Sequence, residues 1–148
     1  MNNIFLCISI IMLITGIVHS SEYKIEPVLG LQFGYPNIAE IHGGIYLGTN
    51  TVFDISSGPM AVISAGDAYS TLGLGYGGYE AGNSFCRGYR MELNFGYIYA
   101  DRMGMDRNQG VFGSKVSFTP GFFGVNFGVI KGVKDNAIAV LWGINFLM

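Results

Sequence analysis

Residues 85–99 alternate without a break between two kinds of side chain. Odd positions carry Phe85, Arg87, Tyr89, Met91, Leu93, Phe95, Tyr97 and Tyr99; even positions carry Cys86, Gly88, Arg90, Glu92, Asn94, Gly96 and Ile98. Successive side chains of a strand point to opposite faces, so a period of two dictates a strand with one large apolar face and one small or polar face. The same split returns along the chain. In 23–34, Tyr23, Ile25, Leu29, Leu31 and Phe33 oppose Lys24, Glu26, Gly30, Gln32 and Gly34. In 40–48, Ile41, Ile45 and Leu47 oppose Glu40, His42, Gly44 and Gly48. In 123–129, Phe123, Val125, Phe127 and Val129 oppose Gly124, Asn126 and Gly128. In 137–148, Ile138, Val140, Trp142, Ile144, Phe146 and Met148 oppose Ala137, Ala139, Gly143 and Asn145.

Weaker strands are expected at 60–66, 71–79 and 111–118. Turn residues separate the segments at 34–37, 48–50, 57–59, 82–83, 119–121 and 134–136, where Gly, Pro, Asn and Asp gather. Stretch 51–57 reads either as a long turn or as an extra strand. The expectation is an all-β fold: a closed antiparallel up-and-down barrel of about eight strands, in one domain.

Alternation is shared by soluble and membrane barrels, so the non-apolar face must decide between them. A water-facing strand surface needs Lys, Glu, Thr and Ser. Here that face is mostly Gly and Ala, and only 12% of the chain is charged, against about 25% in a typical soluble domain. Small residues suit the crowded interior of a narrow eight-stranded barrel. The fold is therefore expected to be transmembrane, with apolar side chains toward lipid. The charges on the inner face come in both signs, and buried charges persist when paired. This predicts an interior network centred on Arg90 and Glu92. Lys24, Glu26 and Glu40 share that face, and His42, Gln32, Asn94, Asn126 and Asn145 are expected to add hydrogen bonds. Tyr97 and Tyr99 at one end of their strand, with Phe85 and Tyr89 near the other, match two aromatic girdles. Arg87 shares the apolar parity. At mid-membrane it would cost roughly 2–4 kcal/mol, so it is expected near an interface.

Residues 4–18 are apolar, interrupted by Cys7, Ser9, Thr15 and Gly16. The run is short of the roughly 20 residues that span a bilayer. Val18-His19-Ser20 follows with a cleavage-type pattern, so 1–20 read as a secretory signal and 21–148 as the barrel. That division leaves Cys86 as the one remaining cysteine, without a disulfide or a Cys-based metal site.

The last segment, Leu141-Trp142-Gly143-Ile144-Asn145-Phe146-Leu147-Met148, resembles the terminal β-signal of outer-membrane barrel proteins in its Gly143, Phe146 and Met148. It departs from that pattern at Leu141, where a polar residue is usual, and in ending on Met148 rather than Phe. By strand number, size and ending, the chain resembles the eight-stranded OmpA/OmpX-type barrels of Gram-negative bacteria. The resemblance implies outer-membrane lipid as its surroundings and the barrel assembly machinery as a partner in biogenesis. It also implies short periplasmic turns and longer outer loops. The polar loop 100–110, with Asp101, Arg102, Asp106, Arg107, Asn108 and Gln109, would lie outside and meet surface ligands. The connection 48–59 would be an unusually long inner turn.

No catalytic, cofactor or metal constellation emerges. His42 is followed by Gly43 and Gly44, not by the serine two residues on that lipid A deacylases of this size use. Gly73-Leu74-Gly75-Tyr76-Gly77-Gly78 opens no helix and is not a dinucleotide loop. Asp101 and Asp106 lack the glycine pattern of a calcium loop. A net charge of −2 offers no basic field for nucleic acid. The expected role is structural or surface-interacting. A lipid-modifying barrel enzyme and a secreted lipocalin-like carrier of a hydrophobic ligand are the alternatives.

Overall fold

The computed structural model describes residues 24–147 apart from 49, 53–54, 82–85, 102–103 and 122, and of 24, 50–52, 81, 86 and 147 the backbone only. The signal segment 1–20, Phe85 and Met148 lie outside the described residues, as do the side chains of Lys24 and Cys86.

Eight long antiparallel strands close into a ring. They are β1 (Lys24–Tyr35), β2 (Ala39–Gly48), β4 (Ile55–Gly66), β5 (Tyr69–Ala81), β6 (Cys86–Ile98), β7 (Gln109–Thr119), β8 (Gly124–Gly132) and β9 (Ile138–Leu147), with a short β3 (Asn50–Val52) between β2 and β4. Each pairs with its chain neighbour, and β1 pairs with β9 to close the wall. The expected closed up-and-down barrel is the observed fold.

The pairings determine its dimensions. A rung that leaves β1 at Glu26 passes through Tyr46, Met60, Gly75, Glu92, Lys115, Gly128 and Leu141. It returns one place beyond the Tyr35–Trp142 pair, at Pro36, ten residues from its start. With about 3.3 Å per residue and about 4.8 Å between strands, that stagger tilts the strands roughly 40° and gives a wall radius of about 8 Å.

The sequence reading of 48–59 needs correction. The region is not a long turn. Asn50–Val52 pairs with Ile55–Ser57 and prolongs the β2–β4 hairpin, so it adds no ninth strand to the wall. Tyr46 faces Met60 and Asn50 faces Ser57, which leaves one more residue on the β2–β3 side than on β4. This is a β-bulge. Pro59, which has no N–H for a ladder, lies opposite the interruption. Gly58 and Pro59 look like turn residues locally, but the barrel uses them in a strand.

The two barrel ends differ. The connections at 36–38, 67–68, 99–108 and 133–137 share one end, called the loop mouth below. An apolar cluster of Ala68, Tyr69, Ile98, Val111, Ile130 and Leu141 fills the barrel just inside it, and Met105 of the 99–108 loop packs into this cluster. A second cluster, Val28, Tyr46, Met60, Val62 and Tyr79, fills the lumen toward the opposite end.

Candidate functional site

The barrel is inside-out relative to a soluble protein. Leu29, Leu31, Phe33, Ile41, Leu93, Phe95, Phe127 and Trp142 are all exposed on the outer wall. Glu40, His42, Arg90, Glu92 and Lys115 are buried inside it. Among the described outward-facing strand residues the only charges are Glu80, Arg87 and Lys131. Arg87 and Glu80 sit opposite each other near the ends of β5 and β6 and form an ion pair at 2.6 Å, so Arg87 is at one rim. Lys131 is near the other rim, facing Ile138 across the ladder. Between Ile45 at one end and Ile138 at the other, the apolar outer band is roughly 24 Å tall, from the rise per residue and the tilt. Tyr35, Tyr97 and Tyr99 lie toward the loop mouth, and Tyr76 and Tyr89 toward the opposite end.

Glycines on the inner face give polar side chains somewhere to lie. A Cβ at Gly30 would overlap the His42 imidazole, and one at Gly73 would overlap the Glu92 carboxylate. One at Gly88 would strike the Tyr79 ring, which lies across that bare backbone. The small face is thus the complement of the large polar groups beside it, at close-packed spacing.

Mid-height in the lumen is a belt of charge. Arg90 Nε forms an ion pair with Glu92 Oε1 at 2.9 Å and donates to Ser117 Oγ at 3.2 Å. Lys115 Nζ lies 3.3 Å from Glu40 Oε1 and 3.8 Å from Glu92 Oε1. Two carboxylates and two cations therefore alternate, and each ion has a counter-ion, as burial demands. Asn37, in the β1–β2 connection, clamps this belt to the mouth. Its Nδ2 donates to Glu40 Oε2 at 2.8 Å, and its Oδ1 accepts from the N–H groups of Ala68 and Tyr69.

The interior residues expected from sequence fall into three groups. Arg90, Glu92 and Glu40 meet in the ionic belt. Glu26 lies apart, where it accepts a hydrogen bond from the Tyr46 hydroxyl toward the far end. Gln32, His42, Asn94, Asn126 and Asn145 are fully buried at belt height. They do not knit into the ion pairs as expected. Asn145 Nδ2 donates to Thr119 Oγ1 at 3.1 Å, whereas both nitrogens of His42 and both amide ends of Asn94 and Asn126 bond to no protein group. Sequence reasoning missed Lys115, although it shares the parity of Gly113 and Ser117 in a strand whose outer face is Phe112, Val116 and Phe118. It also missed Asn37, a turn residue by local chemistry, whose role depends on contact with 67–69.

The loop expected at 100–110 is not a free polar arm. Besides burying Met105, it is tied to the β8–β9 connection. Asp135 accepts from the Asp106 N–H at 2.7 Å and from Gln109 Nε2 at 2.8 Å, and Gln109 Oε1 accepts from the Lys134 N–H. Those N–H donors, that of Asp106 foremost, hold the Asp135 carboxyl below its ordinary value. Arg107 and Asp101 remain at the surface.

Catalytic chemistry needs a nucleophile and a base within hydrogen-bond reach. Ser64 is directly across the ladder from His42, yet no hydrogen bond joins them. Among the described residues there is no group of three metal-ligating side chains. No family model, curated protein or solved structure matches the chain.

Proposed function

We propose that this chain is a small outer-membrane β-barrel of a Gram-negative cell, with a structural or surface-interaction role and no catalysis. The observation that carries the proposal is the inverted polarity: an apolar outer band about as tall as a membrane barrel's, roughly 25 Å, around a buried belt of charge. In water this surface would be one continuous apolar patch, far beyond the few hundred Å² typical of soluble monomers. In lipid it is the favourable arrangement, with the Arg87–Glu80 pair and the tyrosines at the rims. Residues 1–20 are the export signal in this reading. Gly143, Phe146 and Met148 are the segment presented to the assembly machinery, and the loop at 100–110 offers Asp101 and Arg107 to surface ligands.

The test is fractionation of expressing cells, followed by electrophoresis of the extracted protein before and after boiling. Sedimentation with the outer membrane, release by detergent only and a heat-dependent shift in migration are expected. Release into buffer without detergent would refute the proposal in favour of a secreted carrier. Catalysis by His42 is disfavoured by its complete burial and its lack of a hydrogen-bonded hydroxyl or acid.

A further inference from the structure

Two of the three charges on the described outer strands neutralise each other, because Arg87 and Glu80 pair at one rim. Lys131 on β8 has no counter-ion among the described residues. The nearest acid along the chain, Asp135, is turned the other way. A Cβ at Gly132, on the inner face, would overlap the Asp135 carboxylate, which accepts from the Asp106 and Ala137 N–H groups. Lys131 also stands within the apolar band. Ile138 opposite it is 66% exposed and Val133, two residues nearer the mouth, is 61% exposed. The wall beside Lys131 has a distinct relief. Ser114, Val129 and Val140 lie side by side on β7, β8 and β9, a row of short side chains between Ile138 above and the Phe127–Trp142 pair below. On the mouth side of Phe112, the cross-strand neighbour of Lys131, the next outward position is Gly110, which leaves that corner without a side chain.

We infer that Lys131 holds the phosphate of one anionic membrane lipid, whose acyl chain lies over Val129 and Val140 toward Trp142. This deepens the lipid-facing reading and rests on it. Charge and shape select the occupant. A lysine on a lipid-facing wall lays its stem along apolar surface and turns its ammonium to the polar side of the interface. There it meets headgroups, and with no counter-ion among the described residues it draws one from them. An anionic headgroup offers a full negative charge, whereas a zwitterionic one brings a competing cation beside its phosphate. The bare corner at Gly110 gives the headgroup room, and the short row below receives the chain. Trp142 is roughly 7 Å lower on the wall than Lys131, so the middle of a chain anchored there passes the indole.

Quenching of Trp142 fluorescence, in the folded protein inserted into phosphatidylcholine vesicles, tests this. One series carries phosphatidylglycerol brominated at mid-chain, and the other carries the same mole fraction of phosphatidylcholine brominated alike. At low ionic strength phosphatidylglycerol is expected to compete for the wall beside Trp142 roughly two- to five-fold better, the range of an exposed ion pair. Lys131→Gln should abolish the preference, and Lys131→Arg should keep it. Equal quenching by the two lipids in the unsubstituted protein, or an undiminished preference in Lys131→Gln, would overturn the inference. Heat-dependent migration of the vesicle-borne protein separates this from the reading beneath it. A chain that does not insert refutes the lipid-facing wall and the site together, whereas an inserted chain without preference refutes the site alone.

Discussion

Removing one cation from the belt should be far more damaging than removing an opposite pair. Lys115 is 1% exposed and touches two carboxylates, at 3.3 Å and 3.8 Å. At an effective dielectric of about 20, each contact is an attraction of roughly 4–5 kcal/mol. The cost of bringing Lys115 and its partners out of water offsets most of it, so the intact cluster adds little over an apolar filling. In Lys115→Met the carboxylates' share of that cost remains while the attraction is gone, because Glu40 and Glu92 must share Arg90. The expected loss is about 3–5 kcal/mol. Adding Glu40→Gln restores neutrality and should recover at least about 2 kcal/mol of it, since contacting residues couple by this much. Reversible urea unfolding in lipid vesicles, followed by fluorescence of Trp142, the single tryptophan and an outward-facing one, measures both. A loss below about 1 kcal/mol in Lys115→Met, or a double variant no better than the single, would refute the argument from charge pairing.

Glycine substitutions should divide by face. At Gly75 an added Cβ overlaps the Met91 carbonyl oxygen, so Gly75→Ala should cost about 1–3 kcal/mol in the same assay. At Gly43 it meets nothing nearer than 3.8 Å, so Gly43→Ala should be close to neutral. In the lipid-facing reading, Leu93→Arg near mid-height should cost about 2–4 kcal/mol of insertion free energy, measured by folding into vesicles. The Asp135 latch should open with acid. Its folded carboxyl is held below the ordinary 3.8, so its contribution is complete above that value and fades as pH falls through the lowered one. The protection of amides in 99–108, taken relative to their intrinsic exchange rate at each pH, should fall in that window, and at neutral pH in Asp135→Asn. His42→Ala should leave the lipid A of expressing cells unchanged; altered lipid A chemistry would revive the enzyme reading.

The alternation in 85–99 and its echoes determined more of this protein than any motif did. Parity alone assigns Arg90, Glu92 and Asn94 to one face and Met91, Leu93 and Phe95 to the other, because a strand has only two faces. The shortage of charge and the Gly-rich second face then say which face is inward. What alternation cannot carry is register. The ten-residue stagger, which decides that Glu40 of β2 meets Lys115 of β7 across the lumen, comes from closing the wall. So does the use of Gly58 and Pro59 inside a strand, where local turn chemistry points the other way. Asn37 and Met105 are a polar turn residue and a loop residue by sequence, and only the closed mouth makes one a clamp and the other a plug. The physical reason is common to all of these. Side-chain direction is local, set by each residue's own backbone, whereas partnership across a lumen depends on tilt and stagger summed over every strand.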